Sequence, residues 1–220
     1  MMDGEIILID KPAGMTSFGV VARVRRILSR RAGKKVKVGH CGTLDPFATG
    51  LLILVSGKMT RKAMEFTKLD KVYEAEFILG QESTTGDPEG ELTQVSDSVP
   101  TKEQVEGALA AFRGEIMQRP PIFSAIKING QRAYKLARDG KEVEIPERTI
   151  TVYNLELIDY SYPSLTIRTH VSSGTYIRSL AVDIGTRLGT GAYCKELRRT
   201  KIADFSVTDA KALSDFGVEN

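Results

Sequence analysis

Apolar and polar residues alternate along the chain with two different periods, and these periods mark strands and helices. Short apolar runs and strict alternation are typical of strands, which are predicted at 5–10, 51–55, 72–79, 149–160 and 164–171. Tyr73 falls on the inner, apolar face of the third of these strands, between polar neighbours. The short connection between the last two strands predicts a hairpin.

Apolar residues that recur every three or four positions predict three longer helices, at 18–31, 101–112 and 175–188. We expect Ser17 to cap the first helix, a capping box at Thr101–Gln104 to open the second, and Gly189 to end the third. A short helix capped by Thr60 is predicted after the second strand.

Interleaved strands and helices that include a hairpin predict an α/β fold of the α+β type. We expect a mixed, mainly antiparallel sheet flanked by helices, in a single domain over 1–220. The polar stretch at 81–91 is predicted to be a loop. Residues 122–142 combine basic, polar and aromatic side chains, a pattern that fits either a flap over a ligand or a surface helix ending at Gly140.

Composition excludes several classes of protein. The 220 residues include no run of 18 apolar residues and no signal-peptide pattern, so we expect a cytoplasmic protein. Two histidines and two cysteines without spaced pairs predict no metal site, and Cys41 and Cys194 are expected to be free thiols. No GxxxxGK loop is present, so nucleotide hydrolysis has no support.

Charge is distributed unevenly although the net charge is only +3. Nine lysines and arginines and no carboxylate lie between Asp10 and Asp45, whereas residues 74–106 hold nine acids and one base. Three of the arginines, Arg23, Arg26 and Arg30, share one face of the first predicted helix. A field of positive charge without acids to pair with it predicts a polyanionic partner, such as a nucleic acid.

Asp45 stands at the edge of this basic segment, which places a carboxylate where a bound polyanion would lie. Taken alone, Asp45-Pro46 also fits an ordinary helix start, because Asp is a preferred N-cap and Pro a preferred first helical residue. His40 and Cys41 form a poor catalytic pair, since neighbouring side chains on an extended segment point to opposite faces.

Six motifs follow one another along the chain. Residues 39–50 read Gly-His-Cys-Gly-Thr-Leu-Asp-Pro-Phe-Ala-Thr-Gly, and the other five motifs are Lys11-Pro12 with Gly14, Lys71-Val72-Tyr73, 121–127 (Pro-Ile-Phe-Ser-Ala-Ile-Lys), 173–178 (Ser-Gly-Thr-Tyr-Ile-Arg) and Leu197-Arg198-Arg199. In this order and at these separations, the six motifs resemble the TruB family of tRNA pseudouridine synthases. The likeness runs from about residue 5 to about residue 210. Cys41 departs from the family pattern, which usually has threonine there, and many relatives continue into a C-terminal RNA-binding domain beyond the point where this chain ends.

The resemblance implies a pseudouridine synthase fold and the isomerisation of uridine to pseudouridine at position 55, in the T-loop of tRNA. It implies that Asp45 is the catalytic aspartate, Tyr73 an active-site tyrosine beside the base, and Arg178 the arginine that pairs with the aspartate. Substrate contacts are implied for His40, Lys11, Tyr176, Leu197 and Lys127, and the insertion at 122–142 is implied to close on RNA. The basic-helix residues Arg23, Arg26 and Arg30 are expected to position phosphates.

The implied reaction needs no redox change and no outside group, so we expect no cofactor. An ionised carboxylate either attacks covalently or removes a proton from the sugar, and the sequence leaves both open. We expect the T-arm of tRNA as partner, no membrane, no obligate protein partner and a monomer. Three alternatives are a guide-RNA-dependent synthase of the dyskerin type, a non-catalytic tRNA-folding module and an RNA N-glycosidase.

Overall fold

The computed structural model of the chain describes residues 4–124, 126–128, 130–139 and 144–217. The chain divides into two compact units: unit 1 comprises Met1–Tyr73 and Arg198–Asn220, and unit 2 comprises Glu74–Leu197. Both boundaries fall inside β-strands.

Thirteen strands and five α-helices are present in the described part of the chain. The strands are β1 (Ile6–Lys11), β2 (Val38–His40), β3 (Thr49–Ser56), β4 (Lys71–Leu79), β5 (Gln81–Ser83), β6 (Leu92–Gln94), β7 (Gly114–Gln118), β8 (Lys127–Ile128), β9 (Gln131–Arg132), β10 (Arg148–Ser161), β11 (Ser164–Val171), β12 (Ala192–Ile202) and β13 (Phe205–Ser206). The helices are α1 (Ser17–Ala32), α2 (Ala63–Thr67), α3 (Lys102–Ala110), α4 (Ala133–Arg138) and α5 (Ile177–Leu188). None of these helices combines the length and apolar character that crossing a membrane requires.

Unit 1 is built around β3, whose apolar run is almost completely buried. Strands β1 and β2 pair with β3 in antiparallel orientation, and β12 pairs with it in parallel at Thr49 and Gly50. Helix α1 covers one face of this sheet, and its buried Val20, Val24 and Leu28 belong to the same apolar cluster as residues of β1 and β3. The amphipathic pattern of the sequence is thereby explained, because the polar side of α1 is left to solvent.

Two predicted helix caps in unit 1 are wrong. Thr16, not Ser17, caps α1: its hydroxyl accepts a hydrogen bond from the amide of Gly19 at 2.9 Å. Ser17 is instead buried and bonds to another segment, so a tertiary partner decides between two adjacent residues that are both good caps. Thr60 lies within a 3₁₀ helix at Gly57–Lys62, where its hydroxyl donates to the carbonyl of Gly57, and it does not cap α2.

Unit 2 contains the predicted hairpin, β10 and β11, with β7 antiparallel to β10 on its other side. Helix α3 opens with the predicted capping box at Thr101 and packs against α5 and β10. Helix α5 ends as predicted at Gly189, whose positive φ of 69° is a conformation that glycine adopts without strain. The stretch predicted to be one loop at 81–91 instead begins with β5, which pairs with β6.

The insertion at 122–142 contains a short hairpin, β8 with β9, followed directly by helix α4. The described helix is short and ends at Arg138, and the expectation of a flap over a ligand stays a prediction. The predicted end of the helix at Gly140 lies outside the described residues.

Candidate active site

Asp45 lies half-buried on the loop between β2 and β3, and no helix begins there. This excludes the N-cap explanation of Asp45-Pro46. Every carbonyl from Gly42 to Pro46 accepts a hydrogen bond, and the carbonyl of Asp45 itself accepts one from the amide of Ala48 at 3.2 Å. A loop with its backbone satisfied in this way holds its side chains in fixed positions.

Ser17 and Lys11 hold the loop from the side of α1 and β1. The buried hydroxyl of Ser17 donates to the carbonyl of Leu44 and accepts from its amide, both at 2.9 Å. Lys11 is fully buried, and its ammonium donates to the carbonyls of Pro12, Met15 and Pro46 at 2.7–3.1 Å. The described bonds of the Lys11 ammonium go to backbone that supports the loop, while its predicted contact with substrate stays a prediction.

Arg199 holds the loop from β12. Its guanidinium is 1% exposed and donates to the carbonyls of Leu51, Thr43 and Gly42 at 2.7, 3.3 and 3.3 Å. Lys71 is buried close by, and its ammonium donates to the carbonyls of Thr67 and Leu69. Burial, followed by the positive charge of Arg199, lowers the pKa of Lys71 to about 8, while Asp70 opposes the shift.

The other predicted site residues of unit 1 occupy different surroundings. Tyr73 is 7% exposed and lies on the inner face of β4, as predicted. His40 ends β2 and is half-buried, opposite Leu54 of β3. Arg26 and Arg30 are exposed on α1, whereas Arg23 donates weakly to the carbonyl of Gly19 at 3.4 Å.

In unit 2, Arg178 is buried in the first turn of α5 and forms an ion pair with Asp87 at 3.0 Å, both side chains being about 5% exposed or less. The guanidinium also donates to the carbonyls of Thr85 and Phe123, at 2.9 and 2.8 Å. Asp87 accepts in addition from the hydroxyl of Thr85 and the amide of Glu89. A buried cation with this many acceptors is fixed in place, while the role predicted for it beside Asp45 stays a prediction.

Tyr176 precedes α5 and is fixed through its backbone by the buried side chain of Gln118. The amide of Gln118 donates to the Tyr176 carbonyl at 3.0 Å and accepts from the Tyr176 amide at 2.8 Å. The guanidinium of Arg148 lies 5.2 Å from the centre of the Tyr176 ring. Leu197 is buried on β12, and the side chain of Lys127 lies outside the described residues, so both predicted contacts stay predictions.

Sequence reasoning missed three residues that support the predicted ones: Asp87 beside Arg178 in unit 2, and Arg199 and Ser17 around the Asp45 loop in unit 1. Asp87 falls in an acidic stretch, where one buried carboxylate cannot be told from the solvated ones. Arg199 was included in a family motif, although without a role. Ser17 was misread as a cap because its partner, Leu44, is 27 residues away.

The sequence model of the "TruB family pseudouridylate synthase (N terminal domain)" matches residues 25–177, and that of the "tRNA pseudouridylate synthase B C-terminal domain" matches residues 178–218. The chain belongs to the TruB family of pseudouridylate synthases. Relatives within this family include tRNA pseudouridine synthase B of Dehalococcoides mccartyi, which is 47% identical over 97% of this chain and 70% of its own length. The same-named protein of Chloroherpeton thalassium is 46% identical, over 97% and 89%.

Solved structures that resemble this TruB-family chain include a Cbf5-Nop10-Gar1 complex, with a TM-score of 0.73 and 34% identity over 96% of this chain and 52% of the other. An H/ACA RNP bound to a substrate RNA that contains 2′-deoxyuridine gives a TM-score of 0.69 and 29% identity, over 98% and 56%. The chain thus spans about half the length of these solved chains. The predicted family, the mixed and mainly antiparallel fold, and the class of enzyme, a pseudouridine synthase, are confirmed.

Proposed function

We propose that this protein isomerises uridine to pseudouridine in the T-loop of tRNA, at position 55, with Asp45 as the catalytic carboxylate. The observation that carries the proposal is the loop around Asp45. This loop begins no helix, yet three buried polar side chains fix its backbone, which is the construction expected of a positioned catalytic group.

The reaction breaks the bond between ribose C1′ and uracil N1, turns the base, and forms a bond between C1′ and C5. The proton lost from C5 is balanced by the proton gained at N1, so no cofactor is needed. Asp45 either attacks covalently or removes a proton from the sugar, and it must be ionised for either step. The role of Arg178 as the positive charge that favours ionised Asp45 is part of this proposal.

Tyr73 offers an aromatic face for stacking on uracil and a hydroxyl for the C5 proton. Because the target lies within a folded loop, the nucleotide must be extruded at a cost of a few kcal/mol. Phosphate contacts from Arg23, Arg26 and Arg30, together with His40 against the RNA loop, would offset this cost. We propose that the pocket is lined by Tyr176, Leu197 and Lys127. We also propose that the protein acts as a monomer in the cytoplasm.

The test is modification of an unmodified tRNA transcript labelled with tritium at uridine C5, since product formation releases this label. Wild-type protein should release tritium stoichiometrically, and Asp45→Asn should lower the rate by at least about a thousandfold, because the group that starts the reaction is lost. Asp204→Asn replaces an exposed aspartate of the same unit and should react like wild type.

Each alternative gives a different result in the same assay. Equal tritium release by wild type and Asp45→Asn refutes the assignment of Asp45. Absence of release by the wild type favours a tRNA-folding module, and free uracil indicates an N-glycosidase. Release only when a guide RNA is added would favour the dyskerin-type alternative. The similarity to a Cbf5 structure is the observation that supports this alternative. The higher identity to tRNA pseudouridine synthase B supports the tRNA substrate.

A further inference from the structure

A stripe of exposed and half-buried residues runs along α1 beside its buried face. Phe18, Ala22, Arg25 and Ser29 are spaced by four, three and four residues, which places them on one helical face. Ala22, Arg25, Arg26, Ser29 and Lys35 line a groove of about 340 Å³, called here the α1 groove.

The α1 groove is built between the helix and the segment that follows it. The hydroxyl of Ser29 accepts from the amide of Val36 at 3.0 Å, and its carbonyl accepts from the amide of Lys34 at 3.2 Å. These two bonds fold the segment back on the last turns of α1, so Lys35 forms one wall of the groove and the arginines form the other. Residues 11–44 contain no acid that would neutralise these cations.

Phe18 stands at the N-terminal end of the stripe with 64% of its surface exposed. The guanidinium carbon of Arg25 lies 6.0 Å from the centre of its ring, at the outer limit of a cation–π contact. The side chain of a helical residue points towards the N-terminus, which explains how Arg25 reaches back to Phe18. An exposed ring beside an arginine is the arrangement on which unpaired bases stack.

The stripe starts beside the Asp45 loop. Ser17, the residue before Phe18, holds both backbone groups of Leu44, the residue before Asp45. A nucleotide stacked on Phe18 would therefore lie next to the loop that carries the proposed catalytic carboxylate.

We propose that Phe18 and the α1 groove bind an unpaired nucleotide of the substrate RNA, with its base stacked on Phe18 and the adjoining phosphates on Arg25 and Lys35. The inference rests on the proposed function, because that function makes the polyanion an RNA. It extends the function by assigning part of the recognition of single-stranded RNA to α1. Arg25 and Phe18 would thus distinguish an unpaired loop from a duplex.

The experiment compares the binding of two RNAs of equal length, an unmodified T-arm stem-loop and a fully paired duplex. Phe18→Ala should raise the Kd for the stem-loop about tenfold and leave the Kd for the duplex within twofold, since stacking needs an unpaired base. Phe18→Trp should restore tight binding, whereas Phe18→Leu, which is apolar but lacks a ring face, should not. Met64→Ala removes an equally exposed apolar side chain of unit 1 and should change neither Kd.

Arg25→Gln tests the phosphate part of the site. Loss of one phosphate contact should lower the slope of log K against log salt by about 0.7 for the stem-loop. Arg61→Gln removes a positive charge of unit 1 outside the groove and should leave that slope unchanged. Stem-loop binding that is insensitive to Phe18→Ala, or an equal loss with the duplex, overturns the inference while leaving the proposed function standing. If the wild type binds neither RNA, both proposals fail together.

Discussion

Single buried polar residues fix the backbone around Asp45 in unit 1 and the side chain of Arg178 in unit 2. In unit 1, Ser17, Lys11 and Arg199 satisfy the carbonyls on both sides of Asp45. In unit 2, Asp87 forms the described ion pair with Arg178. A buried polar group of this kind lowers the stability of the protein when its partner is missing. Replacing any one of these side chains should therefore destabilise the backbone that it supports.

Lys71 gives a prediction about pH that can be measured without RNA. Its pKa is lowered to about 8 in the folded protein by burial and by Arg199, whereas an unfolded lysine titrates near 10.4. Between these two values the unfolded chain binds more protons, so the free energy of unfolding rises with pH. From pH 7.5 to pH 10.5 the gain attributable to Lys71 should reach roughly 3 kcal/mol.

The measurement is urea unfolding of the wild type and Lys71→Met across this range of pH. The rise in the free energy of unfolding between pH 7.5 and pH 10.5 should be smaller in Lys71→Met than in the wild type, by the part due to Lys71. Lys68→Met, which loses an exposed lysine three residues away, should keep the wild-type slope. Parallel pH profiles for the wild type and Lys71→Met would show that Lys71 is not held in the buried, proton-releasing environment described.

At the level of secondary-structure elements, Gly50 controls how closely β3 and β12 approach. The two strands pair at Gly50 and Arg199, and a Cβ at Gly50 would lie 2.3 Å from the Arg199 carbonyl oxygen. Its φ of +103° also disfavours any other residue. Gly50→Ala should therefore lower the free energy of unfolding by roughly 3 kcal/mol or more, and should displace the guanidinium that supports Gly42 and Thr43.

Gly107 provides a control of opposite sign for the same substitution. It lies within α3, and a Cβ there would meet no described atom within 4 Å other than its chain neighbours and the backbone of its own helix. Gly107→Ala should raise the free energy of unfolding by about 0.5–1 kcal/mol, because alanine favours the helix. Thermal and urea unfolding check both variants, and equal effects of the two substitutions would contradict the close approach at Gly50.

The sequence predicted three of the helices and five of the strands because their signals are local, whereas β12, which carries Arg199, was not predicted. The alternation around Tyr73 and the apolar run of β3 are visible within eight or nine residues. The cap of α1 was misassigned between Thr16 and Ser17, because the deciding partner is Leu44. Asp87 was missed for the same reason, since it is 91 residues from Arg178 in sequence. Only the fold brings such pairs together. The sequence therefore identifies candidate site residues where a motif marks them, and misses residues that are defined by a contact with a distant part of the chain.

At the level of the whole molecule, the two units carry charges of opposite sign. Unit 1 carries 18 lysines and arginines against 10 aspartates and glutamates, whereas unit 2 carries 13 against 18, giving formal charges of +8 and −5. The small net charge of +3 is therefore the sum of a basic unit, which attracts RNA phosphates, and an acidic unit, which repels them. We expect unit 1 to supply most of the salt-sensitive part of RNA binding.

Replacing Arg23, Arg26 and Arg30 together by glutamine should lower the slope of log K against log salt by about two to three, because each phosphate contact contributes 0.7–0.9. Affinity should fall to the same degree for different RNA sequences, since phosphate contacts position RNA without reading bases. Lys102→Gln removes an exposed charge of unit 2 and should leave the slope unchanged. Binding titrations from 50 to 300 mM salt measure both, with thermal unfolding as a check that α1 is intact. An unchanged slope in the triple variant would mean that the basic face of α1 does not contact the RNA backbone, and that the positive charge which attracts it lies elsewhere in unit 1.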